Sequence, residues 1–163
     1  MDDSEAPPSK APPPNRLSWP PIAYLGAVVA AVVLQVASPL AFPAAAKAPL
    51  ALLGLGLLVG GVGLVVVSIR TLNRARTTVQ PHRAASALVT DGPYRRSRNP
   101  IYLGNTLALV GLSLVFDVPW FLVTAPLATL AVQELAIKPE ERHLAARFGE
   151  AWRSYAGAVR RWI

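Results

Sequence analysis

The sequence predicts an all-α, polytopic membrane protein with four transmembrane helices, the last two forming a helical hairpin, and a cytoplasmic C-terminal amphipathic helix. Three observations support this fold class. The chain is 53% hydrophobic and only 15% charged, whereas charged residues make up about a quarter of a typical soluble domain. It contains four long apolar stretches, and its positive charges are distributed unevenly between the segments that connect them. Together these features are typical of an integral membrane protein.

The first 18 residues, MDDSEAPPSKAPPPNRLS, differ in composition from the rest of the chain. They are acidic, then proline-rich, and contain little that a core would bury, so we predict a disordered tail preceding one membrane domain at residues 19–163. The tail lacks the basic start and small-residue cleavage site of a signal peptide. The chain contains no cysteine, which excludes disulfides and thiolate metal sites, and we predict no metal site.

A helix needs about 20 mostly apolar residues to cross the hydrocarbon core of a bilayer. Four stretches approach or reach this length, and we predict spans at residues 22–42, 48–69, 99–116 and 118–137. The last two are short and share a turn at Asp117-Val118-Pro119, which predicts the hairpin. A buried hairpin in a soluble protein is the alternative for any one such pair, but four apolar runs in a chain of 163 residues argue against it.

The positive charges predict the orientation. Of sixteen Lys and Arg residues, only Lys47 falls in a connection on the far side, whereas seven arginines lie in the loop at residues 70–98 and six basic residues follow the fourth span. Lysine and arginine accumulate on the cytoplasmic side of membrane proteins. We therefore expect an inner or plasma membrane protein with both termini and the long loop in the cytoplasm. Because topology accounts for the net charge of +7, nucleic acid is not a predicted partner.

The second span carries five glycines, including a GxxxG pair at Gly56 and Gly60. Small residues allow membrane helices to approach closely. We interpret these glycines as packing within the monomer rather than as a dimer interface, which predicts a monomeric protein.

The segment after the fourth span contains Leu144, Phe148, Trp152 and Tyr155 at spacings of four, four and three. This spacing predicts one apolar stripe on a helix at residues 139–156. Pro139 suits its first turn, although the fourth span running on with a kink at Pro139 explains the sequence equally well.

Three carboxylates stand near this boundary. Glu140 and Glu141 lie on or beside the stripe, where acids are costly unless a cation meets them. They either pair with the nearby arginines or bind a ligand. Glu134 has Lys138 four residues later, which predicts an ordinary ion pair.

A connection as long as residues 70–98 is usually functional or disordered. Asp91-Gly92-Pro93 is a turn signal, and Asn99-Pro100 can begin the third helix with Asn as its N-cap. Tyr102 and Asn105 then share one helical face close to Gly104, an arrangement that suits a small ligand against the backbone.

These stretches resemble a known family. GPYRRSRNPIYLGN followed by PEERHLAARFGEAWRSY is similar to the paired signature of the isoprenylcysteine carboxyl methyltransferase and phospholipid methyltransferase family of integral membrane enzymes. The family pattern is roughly G-P-Y-x-x-x-R-[HN]-P-x-Y-x-G, then E-E-x-x-L-x-x-x-F-G-x-x-[YW]-x-x-Y. The similarity covers residues 77–163, while the first two spans match only in being apolar.

The resemblance implies S-adenosylmethionine as methyl donor, held on the cytoplasmic side. It carries a cofactor-binding role onto Arg98, Asn99, Pro100, Tyr102, Gly104, Glu140 and Glu141. Many members have histidine where this chain has Asn99, and asparagine cannot titrate. The catalytic group is left unassigned, with His82 as the candidate base or ligand contact in the loop.

The resemblance therefore implies methyl transfer to a lipophilic acceptor, with carboxyl O-methylation of an isoprenylcysteine-like substrate preferred to N-methylation of a phospholipid amine. A small four-helix transporter using Glu134 as its coupling acid, or a non-catalytic scaffold, are alternatives from other classes. A transporter should place charge near the bilayer midplane, whereas this sequence places nearly all of it at one surface.

Overall fold

The computed structural model describes residues 19–75 and 87–163. The predicted disordered tail and His82 lie outside the described residues. Within them, every regular element is helical, which confirms the all-α prediction for this part of the chain. Five helices follow in order: α1 (Trp19–Ala37), α2 (Lys47–Arg74), α3 (Pro100–Phe116), α4 (Phe121–Val132) and α5 (Lys138–Ala158). Short 3₁₀ turns at Ala44–Ala46 and Gly92–Arg95, and a π turn at Gln133–Ile137, complete the set.

Three helical stretches are long and apolar enough to cross a membrane: Trp19–Ala37, Ala44–Arg74 and Phe121–Ala158. The apolar helix α3 is shorter, with 17 residues. The structure thus supports three to four membrane-spanning helices, and the four-span topology with cytoplasmic termini stays a prediction.

The C-terminal ends of α1 and α2 lie several residues from those of the predicted spans. α1 ends at Ala37 rather than at residue 42, because the ring of Pro39 disfavours helical backbone at the residue before it and supplies no N–H to continue the helix. α2 continues past residue 69 to Arg74, so its last turns carry basic side chains beyond the apolar run.

The helices pack in the spatial order α2, α3, α4, α1, with α3 between α2 and α4. Two glycine pairs join α2 to α3. A Cβ atom added to Gly61 would lie 2.5 Å from the carbonyl oxygen of Gly104, and one added to Gly111 would lie 2.7 Å from that of Gly54. Glycine is needed at these positions because the two backbones are in direct contact.

The predicted GxxxG pair is not part of this contact. A Cβ atom at Gly56 or Gly60 would meet nothing within 4 Å, so both face away from the rest of the described chain. The glycines that pack are instead Gly54 and Gly61, seven residues apart, because α2 and α3 run side by side over two helical turns. Packing within the chain is thus confirmed for Gly54 and Gly61, whereas the GxxxG pair takes no part in it, and the monomeric state stays a prediction.

The fourth span runs on into α5 without a break. The π turn Gln133–Ile137 joins α4 to α5 and places Pro139 in the first turn of α5. A π turn inserts an extra residue into a helix, often where regular hydrogen bonding is interrupted. The structure therefore favours continuation of the span over a separate helix. The predicted ion pair between Glu134 and Lys138 is confirmed, with an N–O distance of 2.7 Å.

α5 is not one continuous amphipathic helix, and the prediction of a single apolar stripe was wrong. Gly149 has φ 51° and ψ −121°, which interrupts the helix, and positive φ is readily adopted by glycine. Leu144 lies before this break and Trp152 and Tyr155 lie after it. Trp152 and Tyr155 are buried, so they face the interior of the protein.

Candidate functional site

One cleft contains most of the residues that the sequence analysis selected. It lies where the end of α2, the start of α3 and both parts of α5 meet, and it is open to solvent on one side. Its lining comprises Leu72, Ala87, Leu88, Val89, Tyr94, Arg98, Asn99, Pro100, Ile101, Tyr102, Glu140, Leu144, Trp152 and Tyr155. The cleft thus combines aliphatic and aromatic walls with one cation and one carboxylate, the mixture typical of small-molecule sites.

The predicted turn at Asp91-Gly92-Pro93 builds one wall. Gly92 has φ 57°, and a Cβ atom there would lie 3.0 Å from the hydroxyl oxygen of Thr71. The 3₁₀ turn that follows buries Tyr94. The Tyr155 hydroxyl donates to the Tyr94 carbonyl oxygen at 2.7 Å, which ties this wall to the second part of α5.

Asn99 occupies the N-cap position of α3, as predicted, but its side chain does not cap the helix. Its amide nitrogen instead donates to the carbonyl oxygen of Arg161 at 3.1 Å, and the Ser97 hydroxyl donates to the same oxygen at 3.3 Å. The backbone N–H of Arg98 donates to the Arg160 carbonyl oxygen at 3.0 Å. Residues 159–163 are therefore held across the start of α3.

The Arg98 guanidinium is only partly satisfied. It lies over the Trp152 ring, 5.7 Å from the ring centroid, and its Nη1 is 3.5 Å from a carboxylate oxygen of Glu141. Its Nε is buried and has no hydrogen-bond partner within the described part of the chain. A buried donor without an acceptor is unusual in a folded protein and points to a missing partner.

The adjacent carboxylates Glu140 and Glu141 have different environments. Glu141 accepts two hydrogen bonds from Arg161, at 3.0 Å from Nε and 2.6 Å from Nη2, and it is not among the cleft-lining residues. Glu140 lines the cleft. Among residues 19–75 and 87–163, no cation forms an ion pair with it.

Burial raises the pKa of the Glu140 carboxyl to about 7, and the neighbouring charge of Glu141 adds to this effect. Burial, followed by the Glu140 charge, also holds the pKa of the Tyr94 phenol well above its ordinary value. Burial raises the pKa of Tyr155 to about 12. Both phenols are therefore neutral hydrogen-bonding groups near pH 7, and Glu140 is the carboxyl whose charge changes there.

The structure brings Arg98, Asn99, Pro100, Tyr102 and Glu140 together in the cleft. Gly104 and Glu141 are elsewhere, the former against α2 and the latter on Arg161. Ligand contacts for all seven selected residues stay predictions.

Trp152 and Tyr155 were not predicted as site residues. Their spacing predicted one apolar stripe on a continuous helix, whereas the helix is interrupted at Gly149 and both side chains face the cleft. A glycine within an apparently helical pattern was the available signal. Nothing in the spacing indicated that Arg161 pairs with Glu141, because 20 residues separate them.

Comparison with known proteins identifies the family. The model of the phospholipid methyltransferase family matches residues 50–151, a range that includes α2 to α4 and most of the cleft. The cobalt-zinc-cadmium resistance protein CzcN of Cupriavidus metallidurans is 31% identical over 90 residues, which are 55% of this chain and 42% of CzcN. The chain thus matches less than half the length of that relative. No solved structure shows a significant match. The chain belongs to the phospholipid methyltransferase family of membrane methyltransferases.

Proposed function

We propose that this protein transfers a methyl group from S-adenosylmethionine to a lipophilic acceptor at the cytoplasmic face of the membrane. The observation that carries the proposal is that one cleft contains an arginine with an unsatisfied buried donor and a carboxylate without a cationic partner, both judged among residues 19–75 and 87–163. Such a cleft suits a ligand that carries both a carboxylate and positive charges, as S-adenosylmethionine does.

The cleft residues fit this cofactor group by group. Arg98 would bind its carboxylate, since guanidinium groups donate to carboxylates in a planar fork. Glu140 would interact with its positively charged end, and the Trp152 and Tyr155 rings offer faces that attract cations. When bound, the cofactor supplies an electrophilic methyl group. The contribution of the chain is to orient the two reactants, which alone can account for a large part of a rate enhancement.

The acceptor would lie against the aliphatic part of the lining, at Leu72, Ile101 and Leu144. We propose an isoprenylcysteine-like carboxylate as the acceptor because a carboxylate can attack without first losing a proton. Asn99, in the position where many relatives have histidine, could not remove one. A phospholipid amine is the second candidate, favoured by Glu140. Its raised pKa suits a group that accepts a proton from an ammonium.

The cofactor part of the proposal is tested by calorimetric titration of the purified protein with S-adenosylmethionine and S-adenosylhomocysteine. Saturable binding of both at micromolar concentration is the expected result. The acceptor part is tested by supplying the radiolabelled donor with either a prenylated cysteine or phosphatidylethanolamine in vesicles. Absence of cofactor binding would contradict the whole proposal, whereas methylation of only the amine would replace the preferred acceptor.

The proposed side of the membrane can be tested separately. The chain has no cysteine, so single cysteines at the exposed Ala45 and Asp91 provide unique labels. We expect a membrane-impermeant reagent to label the Asp91 variant from the cytoplasmic side and the Ala45 variant from the opposite side. Labelling of both from one side would contradict the four-span arrangement.

A further inference from the structure

Residues 159–163 fix the position of Arg161 beside the cleft. Its carbonyl oxygen accepts hydrogen bonds from Asn99 and Ser97, and the preceding carbonyl oxygen accepts one from the Arg98 backbone. On its other side, the Trp162 indole donates to the Gln133 side chain at 3.0 Å. The backbone of Arg161 is thus anchored on both sides, which directs its side chain toward Glu141.

Arg161 engages both carboxylate oxygens of Glu141, whereas Arg98 approaches one of them no closer than 3.5 Å. Two parallel hydrogen bonds between a guanidinium and a carboxylate form one of the strongest charged pairs in proteins. Arg161 is consequently the stronger ion-pair partner of Glu141, and Arg98 is the weaker one.

Arg98, Arg161 and Glu141 form a cluster with a net positive charge. Arg98, Arg161 and Glu141 together carry a charge of +1, and of the three only Arg98 lines the cleft. Glu141 is 16% exposed, so in the absence of Arg161 it would be a poorly solvated anion whose remaining ion-pair partner among the described residues is Arg98. The two would then form a neutral pair. Arg98 would attract a ligand carboxylate less strongly, and fewer of its N–H groups would be available to donate to it.

We propose that Arg161 is a positioning residue that occupies Glu141 and thereby keeps Arg98 available for the carboxylate of the ligand. This inference rests on the proposed function, in which the cleft binds S-adenosylmethionine. It assigns Glu141 to the arginine cluster rather than to the ligand.

The experiment is calorimetric titration of the detergent-solubilised full chain with S-adenosylhomocysteine. We expect R161Q to bind about tenfold more weakly, a change equivalent to about 1.4 kcal/mol. The matched control is R160Q, which removes the same charge from an exposed neighbour that forms no ion pair with a described residue, and it should bind as the unmodified chain does. The double variant R161Q/E141Q should recover most of the lost affinity because Arg98 no longer has a competing anion.

A second probe separates positioning from general damage to the fold. 5′-Methylthioadenosine lacks the amino-acid part of the cofactor, with its α-amino and carboxylate groups, so R161Q should bind it as tightly as the unmodified chain. Equal weakening of both probes, unchanged S-adenosylhomocysteine affinity in R161Q, or a double variant as weak as R161Q would each overturn the inference. Failure of the unmodified chain to bind S-adenosylhomocysteine would instead overturn the proposed function, and the inference with it.

Discussion

The two ends of the helical bundle use similar polar groups in opposite ways. At the far end, Asp117 is saturated, because one carboxylate oxygen accepts from the Phe42 backbone at 2.7 Å and the other meets the Lys47 ammonium at 2.6 Å. At the cleft end, Arg98 retains a buried donor without an acceptor and Glu140 has no cationic partner among the described residues. The saturated end connects helices, whereas the unsatisfied end is suited to receiving a ligand.

This contrast extends to the helix contacts. The glycine pairs between α2 and α3 leave no space for a side chain, while the cleft leaves space for a small molecule. Substitutions in the packed region should therefore affect folding, and those in the cleft should affect binding.

The largest effect is expected at Gly61. G61L would place side-chain atoms where a Cβ already lies 2.5 Å from the Gly104 carbonyl oxygen, so α2 and α3 must separate. Overpacking usually costs about 1–3 kcal/mol, and a clash with backbone should exceed that range. The neighbouring G60L is the matched control, because a Cβ there meets nothing within 4 Å. Monodisperse yield and thermal unfolding in detergent measure the difference. Equal losses in the two variants would contradict the observed α2–α3 packing.

The next effect separates the two adjacent carboxylates. E140Q should weaken S-adenosylmethionine binding by about 1–3 kcal/mol, the cost of leaving a polar ligand group without its partner. It should not lower the Tm of the ligand-free protein, because it removes a buried carboxyl whose ionisation opposes folding. E141Q should lower the Tm and leave S-adenosylmethionine affinity nearly unchanged, because it leaves Arg161 and Arg98 without their anion. Calorimetry and thermal unfolding on both variants test this division. A loss of affinity in E141Q as large as in E140Q would restore the sequence-based prediction that both residues bind the cofactor.

The pKa of about 7 for Glu140 predicts a pH dependence of stability. An unfolded glutamate has a pKa of about 4.3, so between these values the folded state binds more protons than the unfolded state. The free energy of unfolding of the ligand-free protein should then fall as pH rises from about 4.5 to about 7, and level off above. The contribution disappears in E140Q. Thermal unfolding of both proteins across this pH range measures the change of stability with pH. The same change in E140Q as in the unmodified protein would show that Glu140 is not responsible.

The same group predicts proton release on binding. A cationic ligand favours the charged carboxylate, so the S-adenosylmethionine affinity of the unmodified protein should increase between about pH 6 and pH 7 more than that of E140Q. Titrations in buffers of different ionisation enthalpy would detect the proton directly. No proton release in the unmodified protein would mean that Glu140 does not meet the positive charge of the ligand.

The fold was more predictable from the sequence than the site. Apolar length and charge distribution identify helices such as α2 because partitioning into a bilayer depends on composition over many residues. The motif residues at Arg98 and Glu140 also come together as the resemblance implied. Details that depend on one backbone angle or on one partner far away in the chain could not be predicted from the sequence. The helix break at Gly149 directs Trp152 toward the cleft, and Arg161 pairs with Glu141, 20 residues earlier in the chain. Neither arrangement produces a periodic pattern in the sequence.

A smaller effect concerns how the acceptor reaches the cleft. The aliphatic lining at Leu72, Ile101 and Leu144 suits an acyl or prenyl chain that arrives from the bilayer, and each buried CH₂ contributes about 0.8 kcal/mol to partitioning. The rate should then depend on acceptor concentration per lipid, so diluting the enzyme-containing membranes with inert lipid at fixed bulk acceptor should lower it severalfold. Equal methylation of a short-chain, water-soluble acceptor, together with no effect of dilution, would contradict access from the bilayer.

The smallest effect is expected at the saturated end. Lys47 and Asp117 form a partly exposed ion pair, with side-chain exposures of 48% and 29%, and exposed pairs contribute little to stability because water solvates both partners well. Asp117 keeps its hydrogen bond from the Phe42 backbone in K47A, so the carboxylate is not left without a partner. K47A should therefore lower the Tm only slightly, less so at high salt because screening already weakens the pair, and should leave S-adenosylhomocysteine affinity unchanged. Thermal unfolding at two salt concentrations tests the effect on the Tm, and calorimetric titration with S-adenosylhomocysteine tests the affinity. A clear loss of cofactor affinity in K47A would show that the two ends of the bundle are coupled, and that the division between a connecting end and a ligand-binding end is wrong.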